Sequence, residues 1–387
     1  MPTTAGGSHN NVAGFPQIRS RREALKAMIA GTVGLGTFQH PGSALAADVD
    51  WLAEVQQSPK TVPRNKIGYF EPLLVGDDGK PIRTQTQWEK QRRTLRKRWM
   101  DFLGPMPDRP QVKLKILSED CPRNCVRQLV RYESEPGIQV EGYLLQPEKP
   151  ADRGKHSGIV ALHQTTKTSI EEIAGVNGPE SQHLGLKLCR RGFVVFCPRC
   201  YLWQSASSYR EADENFRRRH PKTLGMRKML YDAMRGVDVL QSLPDVDPLR
   251  LGAVGHSLGA KEALYLAAFD ERVKAAVASE GGISFHSTNW EAPWYLGKGI
   301  QAPGFQLNHH QLLALIAPHP FLILAGESGQ GASDGDRTWP FIEAALPVDQ
   351  LYGKPARLGI YNHRQGHTIP PKAFQRMAQW LETYVPA

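Results

Sequence analysis

Beyond its N-terminal region the sequence has no run of 18 apolar residues, which argues against a membrane-spanning helix in the processed protein. It also has few cysteines: five, an odd and small number that cannot carry a disulfide-stapled fold. Cys197 and Cys200 make one C-x-x-C pair, but no second pair completes a four-thiolate site, and Cys121 and Cys125 have the wrong spacing for one. The reading therefore includes no metal and no cofactor. Cys189 and Cys197 are read as core residues, with room for a single disulfide. Low-complexity tracts and internal repeats are absent too. With 387 residues, 40% apolar and 22% charged, the chain can bury a large core, as one big α/β domain or two ordinary ones.

What is present begins with residues 1–46. Arg21 and Arg22 precede a Gly-rich apolar stretch, AMIAGTVGLGTF, and small residues Ala44 and Ala46 follow at signal-peptidase spacing. This order of features resembles a twin-arginine export signal, so the twin-arginine machinery is an expected partner and the periplasm or exterior the expected location. Arg19, Arg21, Arg22 and Lys26 against Glu23 place +3 of the net +10 in that leader. Much of the remaining positive charge lies in EKQRRTLRKRW (Glu89–Trp99). Trp88, Leu95, Trp99, Phe102 and Leu103 fall at helical spacing there, so the sequence predicts an amphipathic helix with a solvated basic face. No aromatic reading surface accompanies it, and a nucleic-acid partner is not expected.

Residues 48–110 form an N-terminal extension containing this helix, and residues 111–387 the catalytic domain. VKLKIL, VRQLVRYES and IQVEGYLLQ read as strands, the last two as a hairpin. From Gly158 onward short apolar runs alternate with helical segments: GIVALH, FVVFC, LGAVGH, VKAAVAS, FLILAG and RLGIYN. The clearest helix is Leu224–Leu243. This alternation predicts a mostly parallel central sheet covered on both faces, with an antiparallel start. Chemistry on such a sheet sits just past the carboxyl ends of its strands.

Ser257 meets that condition. The strand LGAVGH leads into Gly255-x-Ser257-x-Gly259 and then the helix LGAKEALYLAAF, the strand–turn–helix context of a nucleophile elbow. Both glycines are expected because the tight turn brings backbones together. A serine at its ordinary pKa needs a base. His367 lies in the loop after the last strand, before the C-terminal helix, and is the candidate; His363, nearer the strand end, is read as structural. Three carboxylates compete for the orienting acid: Glu280, directly after VKAAVAS, and Asp334 and Asp336, in the loop after FLILAG, with Asp336 the best placed of these two. The oxyanion N–H donors are expected at Leu258 and at Gln164 or Thr165, with the His163 side chain structural. Phe285, Trp290, Trp294 and Tyr295 form an aromatic cluster suited to a sugar ring or to a packed insertion.

From Trp88 to the C-terminus, GHSLGAKEALYLAAFDERVKAAVASEGG, HHQLLALIAPHPFLILAGES and NHRQGHTIP resemble the bacterial α/β-hydrolases grouped with dienelactone hydrolases and acetyl xylan esterases. The resemblance implies the α/β-hydrolase fold and ester hydrolysis. Dienelactone hydrolases proper use a cysteine nucleophile, and Ser257 departs from that. Glucuronoyl esterases are similar in AFDERV, in a glutamate at the position of Glu280 and in a lysine four residues after the nucleophile. That likeness implies that Lys261 contacts a sugar acid. Leu258 stands where that family has an arginine, which speaks for a plainer carbohydrate or carboxylic esterase. The expectation is an exported serine hydrolase acting on small-molecule or oligosaccharide esters, with Trp290 and Trp294 as further substrate contacts. The alternatives are a serine peptidase of the prolyl oligopeptidase type and a catalytically silent binding protein.

Overall fold

A computed structural model describes residues 48–63, 70–76, 78–151, 154–204, 206–353 and 355–386. The leader read at residues 1–46 lies outside the described residues. Ala46–Ala387 forms one compact unit.

Nine strands make a single sheet: β1 (Lys115–Asp120), β2 (Cys125–Glu135), β3 (Ile138–Pro147), β4 (His156–Leu162), β5 (Val194–Pro198), β6 (Val246–His256), β7 (Val273–Ser279), β8 (Phe321–Ala325) and β9 (Leu358–Asn362). Their spatial order is β1-β2-β3-β5-β4-β6-β7-β8-β9. The first three strands and the β3–β5 pair are antiparallel, and all later neighbours are parallel. The parallel strands β4, β5 and β8 are buried along their whole length, which is why they read as unbroken apolar runs. At the sheet edge β1 is mostly exposed and begins three residues later than the apolar pattern of VKLKIL suggested. Pairing with β2 sets its limits, not burial.

One face of the sheet is covered by α2 (Gln85–Leu103), α6 (Gly225–Ser242), α7 (Leu258–Phe269), α8 (His309–Ile316) and α9 (Trp339–Gln350), all within one apolar cluster. The other face carries α1 (Leu52–Val55), α4 (Leu184–Cys189) and α10 (Pro371–Tyr384). Two further helices, α3 (Ile170–Ile173) and α5 (Tyr209–Arg219), complete the set.

The expected amphipathic helix is present as α2. It opens on a reciprocal cap between Thr84 and Gln87, and buries Trp88, Leu95, Trp99 and Leu103 while Phe102 stays half-buried. Its basic side differs from expectation. Lys90, Arg93 and Lys97 are exposed, but Arg92 and Arg96 turn inward. Arg92 Nη2 donates to the Leu315 carbonyl (2.9 Å), and Arg96 donates to those of Ala268 (3.1 Å) and Phe269. These carbonyls end α8 and α7, where four acceptors lack helical partners and the dipole favours a cation.

From β4 the chain steps outward to β5 and then returns past β4 to β6. The order reverses there, opening a crevice beyond the carboxyl ends of β4 and β6. The loop after β4 and the turn after β6 form its rim.

Candidate active site

Ser257 sits between β6 and α7 with φ +57° and ψ −114°, a conformation that L-residues rarely adopt. Its N–H donates to the Ser279 carbonyl (2.8 Å), tying the turn to the end of β7. Both flanking glycines are sterically required. A Cβ at Gly255 would run into the Gly259 carbonyl, and one at Gly259 into the Leu162 carbonyl at the end of β4. The turn lifts the serine above the sheet, and Leu258 begins α7 beside it, with its N–H among the unpaired donors of the first turn.

Glu280 follows β7 directly and is fully buried, with φ +58°. Its carboxylate accepts hydrogen bonds from the backbone N–H groups of Gly326 and of Ser333 (2.6 Å), which fix it in place. Its Oε2 lies 3.4 Å from His367 Nδ1. The histidine reaches this point because the loops after β8 and β9 touch: Gly366 N–H donates to the Gly326 carbonyl (2.9 Å), and Gly326 has no room for a Cβ against Gly366. No hydrogen bond joins Ser257 to His367 among the described residues.

Of the two other acid candidates, Asp334 is buried and accepts from the N–H groups of Gly282 (2.7 Å) and Ile283 (2.9 Å) and from the Thr338 hydroxyl (2.9 Å). Burial and the nearby charge of Glu280 raise its pKa. It braces the turn that carries Glu280. Asp336 does not engage His367: its carboxylate is taken by Arg364 Nη2 (2.7 and 2.9 Å) and Asn362 Nδ2 (2.9 Å). Asp336 opens a 3-10 turn ahead of α9 and faces the end of β9, so of the three carboxylates left open by the sequence Glu280 is the one that lies against His367. His363 is half-buried, and its Nδ1 accepts from Gln365 N–H (3.2 Å).

The loop after β4 is clamped from behind. Glu172 accepts from the Gln164 side-chain amide (2.8 Å) and the Thr166 hydroxyl, and the Thr166 carbonyl accepts from Trp203 Nε1 (2.8 Å). His163 is buried, its pKa pushed down to about 4 by desolvation, and it accepts from the Cys200 N–H (3.1 Å).

Lys261, one turn into α7, is buried beneath the site. Its Nζ lies 4.0 Å from the Trp290 ring centre and 4.8 Å from that of Tyr295, and donates to the Thr288 hydroxyl (3.2 Å). Burial holds its ammonium well below the usual lysine range. Trp290 itself is fully buried, with its indole N–H on the Gly282 carbonyl (2.6 Å). It is a packing residue under Lys261, which corrects its reading as a substrate contact. Trp294 is half-buried and continues through Tyr209 (6.0 Å between ring centres) to Trp203 (4.8 Å further), an aromatic shelf leading to the loop after β4. Trp203 and Tyr209 were not singled out in the sequence, although Trp203 follows shortly after β5 and so passes the strand-end test.

All five cysteines are free thiols, with the sulfurs of Cys125 and Cys189 2.7 Å apart. Among the described residues no cluster of His, Cys, Asp or Glu is arranged for a metal ion, and no helix is long and apolar enough to cross a membrane.

The Dienelactone hydrolase family profile matches residues 140–328, a span that contains Ser257 and Glu280 and stops short of His367. A putative hydrolase, YtaP, from Bacillus subtilis (strain 168) is 26% identical over 245 residues, covering 60% of this chain and 79% of the relative. Among solved structures, a glucuronoyl esterase from Solibacter usitatus superposes with a TM-score of 0.67 at 17% identity, over 84% of this chain and 98% of that one. A CE15 glucuronoyl esterase from Teredinibacter turnerae gives 0.63 at 21% identity, over 81% and 88%. A putative acetyl xylan esterase from Bacteroides fragilis gives 0.58 at 12% identity, over 78% and 80%. The chain has the α/β-hydrolase fold, and its residues 140–328 match the Dienelactone hydrolase family profile.

Proposed function

We propose that the protein is an exported serine esterase that cleaves carboxylic esters on saccharides through Ser257, His367 and Glu280. The observation that carries this reading is the convergence of a strained serine elbow with a histidine held at Nδ1 by a buried, doubly hydrogen-bonded carboxylate. His367 takes the proton as Ser257 attacks the acyl carbon. It then gives that proton to the departing alcohol, and later activates the water that releases the acid. Glu280 orients the imidazole and offsets the charge it gains. The Leu258 and Gln164 N–H groups receive the developing oxyanion at the head of α7, where the helix dipole favours negative charge.

Acetyl or related esters on polysaccharide are the substrate class that the solved esterases of like fold and the half-exposed aromatic shelf support. A sugar-acid ester is the second reading, and Lys261 favours it: a buried amine contacting ring faces and a hydroxyl, with no ion pair to a carboxylate among the described residues, is a ready partner for an anionic group. The leader read at residues 1–46 supports a periplasmic or exterior site of action and passage through the twin-arginine machinery.

Hydrolysis of 4-nitrophenyl acetate tests the chemistry. Ser257→Ala is expected to lose at least about a thousandfold in kcat/KM. If wild type and Ser257→Ala are equally inert and a fluorophosphonate fails to label Ser257, the chain is a binding protein on a hydrolase scaffold. Acetylated xylan against a methyl ester of glucuronic acid then separates the two substrate readings.

A further inference from the structure

We infer that His256, the residue immediately before the nucleophile, is a positioning residue that clamps the His367 ring in its working orientation. The inference rests on the esterase reading. Among the described residues His367 has one side-chain hydrogen bond, to Glu280, and at 3.4 Å it is long for an N–H···O bond. A single long bond leaves an imidazole free to swing about it, and a quarter of this side chain is exposed. Two neighbours crowd the ring. Gly331 approaches so closely that a Cβ there would lie 3.3 Å from His367 Cγ, and the His256 ring centre lies 4.8 Å away at 45°.

His256 is itself held on every link. It pairs in register with Ser279 across β6 and β7, and its Nδ1 bonds the Ser279 hydroxyl at 3.0 Å. The Ser279 carbonyl in turn accepts from Ser257 N–H, and Ser279 immediately precedes Glu280. The His256–Ser279 pair is therefore the joint at which nucleophile, acid and base meet. Burial keeps the His256 ring neutral down to about pH 3, so no like charge opposes an imidazolium forming beside it.

Three variants separate the ring contact from the hydrogen bond: His256→Phe keeps a ring, His256→Gln keeps a partner for Ser279, and His256→Ala keeps neither. Turnover of 4-nitrophenyl acetate is measured per active site titrated with a fluorophosphonate, so loss of folded protein does not count as loss of rate. The Phe variant is expected within about threefold of wild-type kcat. The Ala and Gln variants are expected to fall about 10- to 100-fold in kcat with KM within twofold, the signature of a misplaced catalytic group. Wild-type kcat in Ala and Gln, or a Phe variant as slow as Ala, overturns the inference. If the variants do not fold, histidine-labelled wild-type protein is read by NMR. A through-space contact between the two rings and a His256 ring still neutral at pH 5 are then required, and the absence of either overturns it. A wild-type enzyme that neither turns over nor labels sinks the esterase reading instead, so the two failures are distinct.

Discussion

Replacing Ser257 by glycine removes the proposed nucleophile and, by the geometry of its turn, stabilises the protein. At φ +57° and ψ −114° a residue with a Cβ pays about 1–3 kcal/mol of backbone strain. Glycine removes that strain but adds about 0.5–1 kcal/mol of unfolded-chain entropy, so the net gain is about 1 kcal/mol. For a domain of this size that is a rise in Tm of roughly 2 °C. Ser257→Ala is the control: it also abolishes the hydroxyl, yet keeps the Cβ and therefore the strain. Calorimetry of the three proteins side by side, at one scan rate and pH, is the assay. The expected order is Gly above wild type and Ala, with those two close together. Equal Tm values for the Gly and Ala variants would refute the claim that strain is stored at Ser257, and with it the idea that the elbow is held open against a cost.

Glu280→Gln is expected to lower kcat/KM for 4-nitrophenyl acetate by about 10³- to 10⁴-fold, because the amide favours the wrong imidazole tautomer. Asp336→Asn is expected within about threefold of wild type, since its carboxylate serves Arg364 and Asn362; a collapse in the Asp336 variant with activity retained in the Glu280 variant would reverse the assignment. Acid should weaken the fold well before the carboxylates titrate. Burial lowers His256 and His309 to about 3, and His163 and His310 to about 4. The unfolded chain then binds more protons than the native one between those values and about 6.5, so stability falls as pH drops through that window. Each histidine contributes roughly 1–2 kcal/mol of loss between pH 7 and pH 5, visible as a lower urea midpoint. A midpoint unchanged across that range would show that these rings are not buried in their neutral form.

Much of this site is legible in the sequence where backbone geometry forces residue choice. Gly255 and Gly259 mark the elbow because any Cβ there collides, and the apolar runs around them locate the strands that present it. His367 is legible from its place after the last strand. The acid is not, because Glu280, Asp334 and Asp336 all follow strands and differ only in what faces them: a histidine, a pair of backbone amides or an arginine. Trp290 was misleading for a similar reason, since an aromatic in a loop after β7 reads as exposed until the loop folds over Lys261. Composition likewise hides the inward turn of Arg92 and Arg96, which depends on helix ends far along the chain.

That last contact has a consequence for the order in which the protein is made. The residues α2 caps lie 172 and 223 positions further along, so this helix leaves the ribosome long before the carbonyls it serves exist. Until α7 and α8 are synthesised, Trp99 lacks Tyr265 and His309, two of the rings it packs against. At translation speeds of about 5–20 residues per second, that interval is on the order of ten seconds or more. An early segment with an incompletely covered apolar stripe and a dense basic flank is a natural landing place for a holding chaperone, released when α7 and α8 arrive to take its place.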